Sequence, residues 1–461
     1  MTKSKAKSTA TEGKRPLRAA RAQISSPETT VRARYRSAIG VDVHLHLLVC
    51  CYQTQLSDHS EISESRDFYT DRKSLNEFAA WCREKNPEIV LMESTGILWC
   101  SPYEALEDIG FSNNQLALIN ARDAKAAVGR KTDRKDAARL AGLARSGNFK
   151  KSFVPNRSFR LQRIISRELI KNKADLARET NRYQKLLNST GCRASTVFSD
   201  VRGKAATIIL DAKIQGVKNL DEVIKANSKR LRATPEEIKD ALDFEIPAVI
   251  SEQIMATKAK LAALKRHDEE TFQRLRDLQK PYEADIDLLR SIFGIQERAA
   301  RMIYAELCDD LSAHFEDSES FCSWLGICPG DNKSAGNQSS GKSPKGNRWL
   351  RRTLIECAHG CSLSGKFAGK EKFLALKLRR GTRRAIVAMA HFFARVIFSV
   401  LTNKKPFEDV QTTAVRDVVI DRFKRAVRLF SHLPDVSLEN GTIIERSTGA
   451  ILGRIPVTST G

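Results

Sequence analysis

Ile39-Gly-Val-Asp-Val-His-Leu-His-Leu-Leu-Val49 is the stretch whose reading decides the fold. Its odd positions, Ile39, Val41, Val43, Leu45, Leu47 and Val49, are all apolar. That strict period of two predicts one β-strand with a packed face. The opposite face carries Asp42, His44 and His46. A carboxylate in the middle of an apolar strand is costly unless something positive sits against it, and Asp42 is therefore the first candidate functional residue.

Outward from this strand the pattern alternates. A charged run with Asp58, Glu61, Glu64 and Asp67 follows, and then a helix is predicted over 71–85. A buried strand Ile89 to Met92, a helix over 102–109, a short strand over 116–119 and a helix over 133–145 complete the unit. Strands alternating with helices make an α/β domain over residues 37–150. Residues 1–36 are rich in Lys, Arg, Ser, Thr and Ala, and read as a disordered basic arm.

Composition narrows the class. With 461 residues and 41% hydrophobic content, the chain exceeds one ordinary core, so two or three domains are expected. A net charge of +23 favours a polyanionic partner, because Lys and Arg displace condensed counterions from nucleic acid. No apolar run of transmembrane length and no signal-peptide core stands out, so a membrane partner is not expected. The ten cysteines contain no CxxC pair and read as buried, reduced thiols, which fits a cytoplasmic protein. Cys357, His359 and Cys361 cluster, but their spacing suits a small-residue helix better than a zinc site.

Three further carboxylates join Asp42. Glu93 ends the run Glu88-Ile-Val-Leu-Met-Glu93, and Asp133 and Asp136 lie in Lys131-Thr-Asp-Arg-Lys-Asp-Ala137. The two aspartates are three apart at a helix start, so both face one side. Four hard oxygen donors at a sheet edge suit Mg²⁺ or Mn²⁺, with one ion activating an attacking oxygen and another stabilising a leaving oxygen. Blander readings compete: Asp133 as a helix N-cap with Asp136 as its reciprocal partner, Glu93 as a solvated strand end, and both histidines as lining of the sheet.

Residues 151–285 read as a helical spacer for oligomerisation. Leu161 to Leu187 is free of Gly and Pro and predicts a long helix able to pair as a coiled coil, and helical character returns from Pro235 to Leu278. Residues 286–410 form another helical unit. It comprises a helix–Gly294–helix segment over 288–307, a helix at 321–325, a polar loop over 331–347, and helices over 348–361 and 383–401. The loop contains Ser334, Ser339, Ser340 and Ser343, any of which could be a nucleophile or merely grip a phosphate. Lys333, Lys342, Lys345, Arg348, Arg351 and Arg352 in and beside it, with Lys131 and Arg134 near the acidic pair, are candidate nucleic-acid contacts. Residues 411–461 read as a C-terminal extension whose end, from Asn440, is a small hairpin or a disordered tail.

Taken together, Gly40-Val-Asp42, Met92-Glu-Ser-Thr-Gly96, Lys131-Thr-Asp-Arg-Lys-Asp-Ala-Ala138, Lys333-Ser-Ala-Gly336, Lys345-Gly-Asn-Arg-Trp-Leu-Arg351 and Arg384-Ala-Ile-Val-Ala-Met-Ala-His391 carry a resemblance. In order and spacing they resemble the bridge-RNA-guided transposases of bacterial insertion sequences. That class pairs a DEDD ribonuclease-H-like (RuvC-like) domain with a serine-bearing, mainly α-helical transposase domain. The resemblance implies a metal site at Asp42, Glu93, Asp133 and Asp136, holding Mg²⁺ or Mn²⁺, and a nucleophile at Ser334. It also implies donor and target DNA and a structured guide RNA as partners, a dimer or tetramer, and a nucleoid-associated bacterial protein. Two departures stand out: His44-Leu-His46 replaces the Ser-Lys of many relatives, and Gln296 replaces the second turn glycine after Gly294. The competing functions are a RuvC-like Holliday-junction nuclease using metal-activated water, and a non-catalytic nucleic-acid-binding protein.

Overall fold

The structure, a computed structural model, describes residues 21–25, 33–56, 60–93, 96–120, 132–217, 219–229, 231–328, 332–334, 337–340, 343–364, 369–408, 435–439 and 442–454. Two compact units divide at residue 160.

The first unit is built on a six-stranded mixed sheet. Its strands are β1 (Arg21–Ser25), β2 (Ser37–Val43), β3 (Leu47–Gln55), β4 (Glu61–Tyr69), β5 (Ile89–Glu93) and β6 (Leu116–Ile119), and the helices are α1 (Arg72–Lys85), α2 (Cys100–Asp108) and α3 (Asp133–Ser146). Strand order is β1-β4-β3-β2-β5-β6, with β2, β3 and β4 antiparallel and β2, β5 and β6 parallel. Such a mixed sheet with helices fits a ribonuclease-H-like domain. Ile39, Val41 and Val43 face a core with Phe68, Phe78, Trp81, Tyr103 and Leu106. The other face packs Ala38, Ile89, Leu91, Ala117 and Ile119 against Leu140 and Ala144 of α3.

Three expectations change here. The segment 39–49 is not one strand but a hairpin: β2 ends at Val43, the His44 amide donates to the Leu47 carbonyl at 2.9 Å, and Leu45 at the turn is 62% exposed. Side-chain parity flips across the turn, so Leu48 and Cys50, not Leu47 and Val49, join the Ile39 core. The charged run after it is strand β4, antiparallel to β3 through nine residue pairs. Within the basic arm, Arg21–Ser25 forms an edge strand on β4, with Ile24 opposite Ile62, because an open sheet edge offers unpaired backbone groups.

The second unit is helical apart from small sheets. It begins within α4 (Arg157–Ser189), which continues the long helix expected there, and continues with α5 (Ala194–Val197), α6 (Lys204–Ile214), α7 (Asp221–Asn227), α8 (Pro235–Ala241) and α9 (Ala248–Gln279). Tyr183 and Leu187 of α4 share a core with Ile209, Leu210, Ile224, Ile238 and Ile254, while Leu169 packs with Phe272 and Leu275. The two long helices therefore run antiparallel past one another.

Beyond them lie α10 (Glu283–Arg290), α11 (Glu297–Ala305), α12 (Ser318–Leu325), the hairpin β7 (Asn332–Ser334) and β8 (Asn337–Ser340), and α13 (Arg348–Leu363), α14 (Lys370–Arg380) and α15 (Thr382–Asn403). A three-stranded sheet of β9 (Val436–Glu439), β10 (Thr442–Glu445) and β11 (Ile451–Arg454) follows. The polar loop thus contains a hairpin, and α14 was not expected. Against the expectation of no apolar run of transmembrane length, an 18-residue stretch of α15 has mean hydropathy 1.9, and the helix is long enough to span a bilayer. That stretch is 61% buried, and Ile386, Met389, Phe393 and Ile397 are core residues of the helical unit, which accounts for its apolarity.

Candidate active site

The acidic cluster is assembled by the sheet and one helix. Asp42 is the last residue but one of β2 and Glu93 ends β5, and the parallel register pairs Val41 with Met92, so the two carboxylates leave neighbouring strands side by side. Open α/β sheets bind ligands at these carboxyl ends. Strand alternation puts Ala38, Gly40 and Asp42 on the face that α3 covers. A Cβ at Gly40 would lie 2.2 Å from the Ala137 carbonyl oxygen and 2.3 Å from the Ala141 nitrogen. Only glycine admits the helix backbone that closely, and this approach brings the start of α3 to Asp42.

Thr132, not Asp133, caps α3: its side chain accepts from the Lys135 amide. The capping alternative for Asp133 and Asp136 therefore fails, and both carboxylates occupy the first turn, where the helix dipole favours negative charge. Burial lifts the Asp42 carboxyl above its usual range; His44 pulls it down, and the charges of Glu93, Asp133 and Asp136 push it up again. All four carboxylates thus act on one electrostatic neighbourhood.

His44, expected only to line the sheet, lies in the same place. Its Nε2 is 3.2 Å from Asp42 Oδ2 and 3.9 Å from Asp133 Oδ1. Asp42, His44 and Asp133 offer donor atoms within 4.8 Å of one another, the one such metal-ligating group among the described residues. Neighbouring carboxylates that raise the proton affinity of Asp42, with hard oxygen donors, fit a divalent cation. By contrast, Cys357 and Cys361 are buried, burial pushes the Cys357 thiol up to about 12, and the Cys361 thiol donates to the Phe293 carbonyl, so this trio is not assembled for zinc.

Ser334 lies in the second unit, at the last pair of the β7–β8 hairpin, opposite Asn337. The neck of this loop is pinned. Gly326 has φ +71°, and a Cβ there would meet the Pro344 carbonyl oxygen at 2.6 Å and the Gly346 nitrogen at 2.7 Å. The Asn347 amide donates to the Trp324 carbonyl at 3.2 Å. Asn347 also caps α13, and its Nδ2 donates to Glu306 Oε2 at 2.9 Å. Glu306 is 1% exposed and takes a bidentate pair from Arg167 at 2.8 and 2.9 Å, while Arg163 donates to its carbonyl. Sequence reading missed this anchor because its members are scattered from 163 to 347.

The expected nucleic-acid contacts divide. Arg134 pairs with Asp67 at 3.3 Å, Arg351 donates to the Gly326 carbonyl at 2.9 Å, and Arg352 pairs with Glu356 at 3.1 Å. Arg348 stacks over Trp349 at 4.6 Å, and it and Lys345 are exposed. Lys333 is on β7, whereas Lys131 and Lys342 lie outside the described residues.

Comparison with known proteins now decides the family. The DEDD transposase family of the IS110 type, described as Transposase, matches residues 39–191, and the Transposase IS116/IS110/IS902 family matches residues 286–374. The chain belongs to the IS110-type DEDD transposases. A relative from Pseudomonas aeruginosa PAO1, named Probable family 20 transposase, is 25% identical over 372 residues, covering 79% of this chain and 93% of the relative. This transposase is thus a DNA-cleaving, recombining enzyme whose DEDD domain implies a divalent metal. The first match begins at the strand carrying Asp42, and the second spans the Ser334 hairpin and its neck.

Proposed function

We propose that this transposase exchanges DNA strands through a phosphoserine intermediate at Ser334, with Asp42, Glu93, Asp133 and Asp136 holding Mg²⁺ or Mn²⁺. The observation that carries the proposal is the meeting of Asp42 and Asp133 in one donor group, with Glu93 at the end of the neighbouring parallel strand and Asp136 in the same helical turn as Asp133. Bound there, a divalent cation would supply Lewis-acid stabilisation of charge on phosphate oxygens. Asp42 and Glu93 orient the donor set from rigid strands, and Asp133 and Asp136 complete it from the first turn of α3.

The hydroxyl of Ser334 attacks the scissile phosphorus. An Oγ–P bond forms, the P–O bond to the leaving sugar oxygen breaks, and the proton lost by serine balances the one gained by the sugar hydroxyl. Reversal with a different sugar hydroxyl reseals the strand. A hairpin tip on a pinned neck suits this role, because positioning a reacting atom supplies much of a barrier reduction. Ser334 and the carboxylates belong to different compact units, and the proposed partners are donor and target DNA and further copies of the chain in a homo-oligomer. Exposed Leu161 and Ile164 near the start of α4 offer an apolar contact for a second copy. Guide RNA, pairing with donor and target, supplies sequence recognition, while the +23 charge supplies backbone affinity.

The test compares wild type with alanine at positions 334, 339, 340 and 343 on a guide-matched DNA substrate. Ser334→Ala alone should eliminate both strand exchange and the covalent protein–DNA adduct. Loss of a phosphate-gripping hydrogen bond would weaken activity by roughly tenfold at most. An adduct that survives Ser334→Ala and disappears with one of the other serines refutes the assignment.

A further inference from the structure

We infer that His44 is an additional, nitrogen ligand of the carboxylate metal site, and that it biases this site toward Mn²⁺ over Mg²⁺. The inference rests on the reading of the four carboxylates as a metal site. Its own support is the position of one imidazole nitrogen, 3.2 Å from Asp42 Oδ2 and 3.9 Å from Asp133 Oδ1. A ring nitrogen this close to both carboxylates is one whose lone pair can reach a cation held by both.

The backbone fixes that position. His44 follows β2 directly, and its amide is tied to the Leu47 carbonyl at 2.9 Å, so the ring hangs from a closed hairpin turn rather than a free loop. His46, two residues on, is exposed at the same turn and has no place in the donor group. Chemistry sets the consequence. Mg²⁺ is a hard ion that keeps oxygen ligands and water, whereas imidazole suits transition ions, so a nitrogen in this set favours Mn²⁺. The ring is 43% exposed on a turn, and its removal leaves no buried cavity.

The experiment uses the full chain, stripped of metal and titrated with Mn²⁺ or Mg²⁺, without any activity readout. Pulsed electron paramagnetic resonance of bound Mn²⁺ should show ¹⁴N coupling from a coordinated imidazole in wild type and in His46→Ala, and none in His44→Ala. His44→Ala should weaken Mn²⁺ binding by about tenfold or more, and Mg²⁺ binding by less than about threefold. Thermal melting in chelator should match wild type, showing that the variant folds. Nitrogen coupling that persists in His44→Ala, or an equal loss of both ions, overturns the inference. If wild type shows Mn²⁺ affinity that Asp133→Asn and Glu93→Gln both abolish, but no nitrogen coupling, the carboxylate site stands and His44 alone is refuted. If those two variants bind Mn²⁺ as wild type does, the metal reading itself fails, and this inference with it.

Discussion

Gly40→Ala should damage the fold and the active site together. Its Cβ would sit 2.2 Å from the Ala137 carbonyl oxygen, 2.3 Å from the Ala141 nitrogen and 2.8 Å from the Leu140 carbonyl carbon, all of them backbone atoms of α3. Ordinary contact begins at 3.4 Å, so α3 must move by about 1.2 Å, and no flexible side chain can absorb that shift. Overpacking of this kind costs typically 1–3 kcal/mol, and rigid backbone on both sides places Gly40→Ala near about 3 kcal/mol. For a unit of this size that is a fall in Tm of roughly 6–12 °C.

Asp133 and Asp136 ride on the displaced helix, and a misplacement of about 1 Å costs on the order of a hundredfold in rate. Gly142→Ala is the matched control. It lies in the same helix, but its Cβ would meet only the Gln53 side chain at 3.6 Å, so this change should be neutral or stabilising by up to about 1 kcal/mol. The assays are thermal unfolding, Mn²⁺ binding and DNA cleavage on both variants. A Gly40→Ala protein with wild-type Tm and cleavage, or equal damage from Gly142→Ala, refutes the close approach of α3 as the device that builds the site.

Other predictions follow from the same geometry. The Asp42 carboxyl is held above its ordinary 3.8, so the folded state keeps this proton more tightly than the unfolded chain, and stability is lost as pH rises from near 3.8 through the raised value. Asp42→Asn should therefore melt above wild type in chelator at pH 7, with the gap closing near pH 4, and should lose both cleavage and the stabilisation that metal gives wild type. A lower metal-free melting temperature for Asp42→Asn would contradict this. Glu306→Ala leaves Arg163 and Arg167 facing an empty buried site and should cost about 3–5 kcal/mol by urea unfolding; a loss below about 1 kcal/mol would remove Glu306 as the anchor of the loop neck. The purified protein should carry a structured RNA, with log affinity falling linearly with log salt; a protein that retains no RNA and prefers none would favour the junction nuclease.

Much of the first unit was legible because its elements obey simple periods. Ile89 to Met92, Leu116 to Ile119 and Asp133 to Arg145 are short apolar runs or a capped helix, and they fall within a residue of β5, β6 and α3. Segment 39–49 misled for a physical reason: its turn contains no Gly, Pro or Asn, and Leu45 keeps the period of two through a solvent-exposed bend. Strand β4 was hidden by Glu61, Glu64 and Asp67, since an outer strand with half-buried residues tolerates charge. The four carboxylates were legible as residue types in strand-end and helix-start contexts. His44 was not, because its approach to Asp133 depends on how closely α3 seats on Gly40. The Glu306 anchor was equally hidden, its partners being more than a hundred residues apart in the chain.

The central claim is that Ser334 becomes covalently joined to DNA in a step that needs the carboxylate site. The most direct measurement is mass spectrometry of the protein trapped on a nicked, guide-matched substrate with Mg²⁺ or Mn²⁺, digested to map the residue bearing the nucleotide. The account predicts a phosphodiester-linked nucleotide on the peptide containing Ser334, absent in Asp42→Ala and absent in chelator. DNA cut by the wild type with no nucleotide on any peptide, the signature of hydrolysis by water, would contradict it.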